Sequence, residues 1–103
     1  MDVFPLVPGH TLVIPKKEID YIFNVDDNLL SELNIFAKKV AKAIERAVPC
    51  KRIGIAVIGL EVPHAHIHLV PLNHVGDINF SKEKMKPTPE ELKNIQTEIC
   101  KYL

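Results

Sequence analysis

The stretch VPHAHIHLVPL, Val62 to Leu72, places three histidines at alternate positions with small or apolar residues between them. The whole chain holds five histidines, and only His10 and His74 lie outside this segment. Side chains alternate along a β-strand, so the spacing predicts that His64, His66 and His68 share one face while Ala65, Ile67 and Leu69 share the other. The apolar set would anchor the strand to a core. The imidazoles would then be presented together on a rigid element.

Working outward, RIGIAVIGL (Arg52–Leu60) is apolar at nearly every position, which predicts a strand covered on both faces, with a turn at Gly59–Glu61 leading into the histidine strand. GHTLVIPKK (Gly9–Lys17) predicts an earlier strand, rich in β-branched residues and stopped by Pro15. Between them, Leu29, Leu33, Phe36, Val40, Ile44 and Ala47 recur at intervals of three and four. That stripe predicts an amphipathic helix over Leu29–Val48, capped by Asp26 or Asp27 and ended by Pro49. After the histidines, NHVGDINFSKEKMKP reads as a loop. TPEELKNIQTEICKYL predicts a last helix with Thr88 as N-cap, Pro89 at the first helical position and Glu91 completing a capping box. Its stripe is Leu92, Ile95, Ile99 and Leu103. The sum is a single α+β domain over residues 1–103, an antiparallel sheet with a long central helix and a C-terminal helix. Three strands make a thin sheet, so the chain is expected to want a partner or a further segment.

Composition narrows the function classes. At 103 residues the chain has room for one domain. Thirteen Lys and Arg balance thirteen Asp and Glu, so no global field attracts nucleic acid or an acidic membrane. The Lys16–Lys17 pair and the Lys82, Lys84, Lys86 cluster lack interleaved aromatics and read as solvated loops. His74 reads likewise as a loop histidine. Cys50 and Cys100 stand far apart without a finger-like spacing, and two reduced thiols are expected. No leader-like start and no apolar run of about 18 residues is present, so a cytoplasmic protein is expected.

Three readings of the alternating histidines compete. They could fill an exposed strand face, yet three at perfect alternation among five is a poor fit to chance. They could bind a metal, since imidazole is the commonest ligand. However, His64 and His68 would stand roughly 13 Å apart on an extended strand, at about 3.3 Å per residue, and the remaining ligands would have to come from His10 or Glu61. Lastly, the row could address successive atoms of an elongated phosphate compound, one nitrogen attacking phosphorus while a neighbour donates to a non-bridging oxygen. Geometry favours this last reading, which calls on no cofactor and no metal.

HAHIHLV also resembles the signature of the histidine-triad family, with Ala65 as the small apolar member. DVFPLVPGHTLVIPKK is similar to the family's upstream hallmark, an Asp, a Pro, then Gly-His leading into a strand that ends in Ile-Pro-Lys. The resemblance implies a nucleotide hydrolase or transferase, usually a homodimer, acting on purine nucleoside phosphoramidates or dinucleoside polyphosphates. It implies His66 as nucleophile, His68 as phosphate donor, and His64 behind His66, holding its ring and tautomer. It further implies His10 bonding to His64 and Asp2 on the ribose hydroxyls. Family members carry a helix and a β-hairpin ahead of this point, so the chain is expected to be a shortened form. Glu61 falls where a Ser or Thr often lies near the leaving group, and the Asn-Gly segment often found before the triad is absent. A nucleotide-binding module with little turnover is the alternative that these departures leave open.

Overall fold

A computed structural model describes residues 5–103 of the chain. Its sheet is built around Ile67–Leu72 (β3), flanked by Thr11–Val13 (β1) and Arg52–Ala56 (β2) in the order β1-β3-β2, with both pairings antiparallel. The register sets Leu12 and Ala56 on either side of His68, and Val13 opposite Ile67. Two helices complete the α+β fold, Asp27–Ala47 (α1) and Pro89–Cys100 (α2).

Alternation along β3 sorts the two faces. Ile67 and Leu69 join Val13 and partly buried Ile53 against Leu33, Ala37, Val40, Ala43 and Ile44 of α1, with Ile99 of α2 closing the cluster. Full burial of an aliphatic side chain such as Ile44 or Leu69 contributes about 1.5–3 kcal/mol, so this cluster holds the sheet to α1. His68 is thereby left on the opposite face. Ala65, just before β3, is also buried, as the alternation predicted.

Four expectations are corrected. β1 spans three residues rather than nine, and Ile14 already faces solvent. β2 is not covered on both faces, for it lies at the sheet's outer edge and leaves Ile55 57% exposed. The buried stripe of α1 includes Leu33, Val40 and Ile44 but passes through Ala37 and Ala43, leaving Phe36 53% exposed. Small alanines let the helix approach the sheet closely, which a bulky Phe at the seam would prevent. The fourth concerns the histidine strand, which begins only at Ile67.

Local chemistry fixes the ends of the elements. The Asp26 carboxylate accepts the Leu29 amide at 2.9 Å, starting α1 two residues before the predicted Leu29. Thr88 accepts the Glu91 amide at 3.2 Å and donates to its carboxylate at 3.1 Å, so the predicted cap of α2 forms. Gly9 takes φ +90°, and a Cβ there would meet Val48 at 3.0 Å and Pro71 at 3.2 Å. The turn that delivers His10 therefore needs glycine on both conformational and steric grounds.

The predicted loop after β3 is more ordered than its polarity implied. Val75–Ile78 forms a 3-10 turn in which Asp77 accepts the amides of Asn73 at 2.8 Å and His74 at 2.9 Å. Those donors hold the Asp77 carboxyl below the usual carboxylate range. Further on, the Met85 amide donates to the Pro5 carbonyl at 2.9 Å, tying residues 79–85 across the histidine face of the sheet. Both cysteines are unpaired thiols. Among the described residues no helix is long and apolar enough to cross a membrane.

Candidate active site

The antiparallel register decides which histidines can meet. Leu12 pairs with His68, so His10, two residues before Leu12, lies on the same face of the sheet as His68. His10 consequently reaches His68, with Nε2 and Nδ1 2.9 Å apart, and not His64 as the resemblance implied. His64 instead directs Nε2 to the Pro15 carbonyl at 2.9 Å. Its neighbour Ala65 donates its amide to the Ile19 carbonyl at 2.7 Å, which fixes the approach to β3.

His66 places Nδ1 2.7 Å from the His64 carbonyl. Because a carbonyl oxygen only accepts, the proton of the neutral His66 ring must reside on Nδ1. Nε2 then carries the lone pair. The same logic applied to His10 gives the opposite result for His68. The Leu6 amide donates to His10 Nδ1 at 3.0 Å, leaving the His10 proton on Nε2 to be donated to His68 Nδ1. His68 therefore keeps its proton on Nε2. Two adjacent imidazoles, with ring centroids 4.7 Å apart and tilted 71°, are thus set as one lone-pair nitrogen and one N–H donor.

Burial reinforces the arrangement. His10 is 1% exposed and His68 8%, whereas His66 is half-buried. Among the described residues no buried side-chain nitrogen or oxygen lacks a partner. Phe80 seals the pair from one side, its ring 4.6 Å from that of His68 and 6.2 Å from that of His10, edge-on in both cases.

His66 and His68 border a cleft of about 410 Å³, lined also by apolar Leu12, Ile58, Leu60 and Phe80 and by polar Ser81 and Lys84. Glu61 stands at its mouth, largely solvent-exposed, with its carboxylate 4.0 Å from the Lys84 ammonium. The cleft is large enough for a nucleotide-sized ligand and combines apolar walls with a few polar groups.

His66, His68 and Glu61 are thus brought to one cleft. His64 contributes its carbonyl from behind His66, while its own ring is turned to Pro15. His10 supports His68 from within the fold. Asp2 lies outside the described residues. Sequence reasoning passed over Phe80, Ser81 and Lys84, which sat in a segment read as solvated loop. The available signal was a lone aromatic in an otherwise polar run. Among the described residues no group of three or more His, Cys, Asp or Glu is placed to hold a metal ion.

Comparison with known proteins agrees with this architecture. An uncharacterized HIT-like protein of Borreliella burgdorferi is 30% identical over 107 residues, covering 96% of this chain and 77% of its own length. The asymmetrical bis(5'-nucleosyl)-tetraphosphatase of Schizosaccharomyces pombe is 31% identical over 72 residues, 65% of this chain and 40% of the enzyme. Of two further relatives the chain spans 56% and 55%, so it matches little more than half the length of several of them. The crystal structure of a Hit-like protein from Bartonella henselae, described as involved in cell-cycle regulation and holding an unknown ligand, superposes with a TM-score of 0.84 at 28% identity. It is covered over 77% of its length by the whole of this chain. The family model of the HIT domain matches residues 1–75, from ahead of His10 to beyond His68. With that match over most of its length, the chain belongs to the histidine-triad (HIT) family.

Proposed function

We propose that the protein is a nucleotidyl hydrolase acting at the α-phosphate of purine nucleotides through a covalent intermediate on His66, without a metal ion. The observation that carries the reading is the opposed hydrogen bonding of two neighbouring rings. The His64 carbonyl holds the His66 proton on Nδ1, and the His10 relay holds the His68 proton on Nε2. An α-phosphate seated between them meets a lone pair and a donor at once.

Nε2 of His66 attacks phosphorus, and the bond to the bridging oxygen or nitrogen breaks with its electron pair going to the leaving group. Positive charge that builds on the imidazole is stabilised by the His64 carbonyl on Nδ1–H. His68 Nε2–H donates to a non-bridging oxygen, where negative charge grows. Water then attacks the nucleotidyl-imidazole, releasing a nucleoside monophosphate, a proton to solvent and the His66 lone pair. Phosphoramidates and dinucleoside polyphosphates both fit this scheme, and the tetraphosphatase relative supports the second class. His66→Ala is expected to abolish turnover of an adenosine phosphoramidate and of diadenosine tetraphosphate while nucleotide binding stays within a few-fold by calorimetry. Unchanged turnover would reject the reading.

One observation favours the alternative of a binding module with little turnover. The Glu61 carboxylate lines the cleft and opposes the negative charge that builds on a departing phosphate, which slows turnover. Calorimetric binding of a nucleotide beside no detectable hydrolysis would select it. The proposal also includes a homodimer in the cytoplasm. Exposed Ile35 and Phe36 on α1, with Ile55 on the edge strand β2, give a second copy an apolar surface to cover.

A further inference from the structure

We propose that Lys84, facing Glu61 across the cleft mouth, selects leaving groups that carry phosphate, so that the site prefers dinucleoside polyphosphates to phosphoramidates. The inference rests on the nucleotidyl-transfer reading and extends it to the far side of the scissile bond. In an in-line displacement the leaving group departs opposite the attacking nitrogen. Here Glu61 and Lys84 line the same cleft as His66 and His68, and their greater exposure sets them on its solvent side, the side toward which we take the leaving group to depart.

Among the described residues that line the cleft, Lys84 is the single one with a permanent positive charge, and Glu61 the single one with a permanent negative charge. They stand 4.0 Å apart, with the Lys84 side chain 40% and the Glu61 side chain 86% exposed. An exposed pair at that separation is weakly held, and a polyphosphate carrying several charges displaces the carboxylate from the ammonium. The backbone beneath Lys84 is anchored rather than loose. Asn79 accepts from both the amide of Ser81 at 3.0 Å and its hydroxyl at 2.6 Å, and the Met85 amide bonds to Pro5. A polyphosphate leaving group also departs as a stable anion and needs no proton. What it needs is positive charge, which Lys84 supplies; a neutral amine leaving group gains nothing from it.

The chemistry balances with water as the single co-reactant. The bond between His66 Nε2 and the α-phosphorus forms, and the bond from that phosphorus to its bridging oxygen breaks. The electron pair leaves on the nucleoside polyphosphate, and water later returns the ring to its starting state.

The test compares kcat/KM for diadenosine tetraphosphate and for adenosine phosphoramidate in the full chain and in Lys84→Ala, Lys84→Glu and Glu61→Gln. Lys84→Ala is expected to lower the tetraphosphate value about tenfold or more, the loss of one charge-assisted contact, and to leave the phosphoramidate value within twofold. Lys84→Glu lowers the tetraphosphate value further, and Glu61→Gln raises it. Equal effects on both substrates, or none, overturn the proposal while leaving the nucleophile in place, and so does a tetraphosphate rate that improves as Lys84 is lost. Should the unaltered protein hydrolyse neither substrate, the underlying hydrolase reading falls. Calorimetry then decides: weaker binding of the tetraphosphate but not of AMP to Lys84→Ala keeps the assignment, and equal binding removes it.

Discussion

His10 shows how one buried residue can govern chemistry it never touches. Its Nδ1 takes the Leu6 amide and its Nε2 faces His68, so the direction of a single proton passes from backbone to cleft. Replacing it by Ala removes the donor that faces His68 Nδ1. We expect kcat to fall about 100-fold, the scale of a lost positioned donor, with KM little changed. His10→Gln retains an amide N–H in roughly the same place and should recover part of the loss in steady-state assays; equal activity of the unaltered protein and His10→Ala would contradict the relay. At this scale the sequence was partly legible. Alternation pointed to the histidine row and to the apolar anchors Ala65, Ile67 and Leu69, because a two-residue period needs no tertiary information, while His66 was singled out only by the family resemblance. The partner of His10 was not legible. It depends on the β1–β3 register, which brings together residues 58 positions apart.

At the level of elements, capping was the most readable signal and strand extent the least. Asp26 and Thr88 act on amides three residues away, so local sequence determines them. β2 looked buried on both sides because its residues are apolar, yet it runs along the sheet's edge, and hydrophobicity alone does not distinguish an edge from a centre. The segment after β3 was read as loop through its polar composition, although its side chains bond to its own backbone. Asp77 offers a direct check there. Its folded carboxyl sits below the ordinary value, near 3.9, so the stability it confers is present above that pH and is lost as pH falls through the lower folded value. Thermal midpoints of the unaltered protein should exceed those of Asp77→Asn at pH 6, and the two curves should converge below about pH 4. A constant gap across that range would assign the effect to something other than this carboxylate.

Over the whole molecule, two surfaces serve two ends. α1 covers one face of a three-stranded sheet, and the other face, crossed by residues 79–85, holds the histidines and the cleft. Zero formal charge places the burden of any anion recognition on local groups; in our proposal the N–H of His68 serves the α-phosphate and the ammonium of Lys84 a charged leaving group. Ile35 is 69% exposed on α1, beside Phe36. Sedimentation equilibrium should give twice the chain mass at micromolar concentration, and Phe36→Glu should shift it toward the monomer. A monomer at every concentration would remove the dimer from the proposal. The central claim is that the fold fixes opposite tautomers on neighbouring imidazoles, and long-range proton–nitrogen NMR correlation of the histidine rings near pH 7.5 reads this directly. The account predicts His66 protonated at Nδ1 and His68 at Nε2; spectra showing His66 protonated at Nε2 would contradict it.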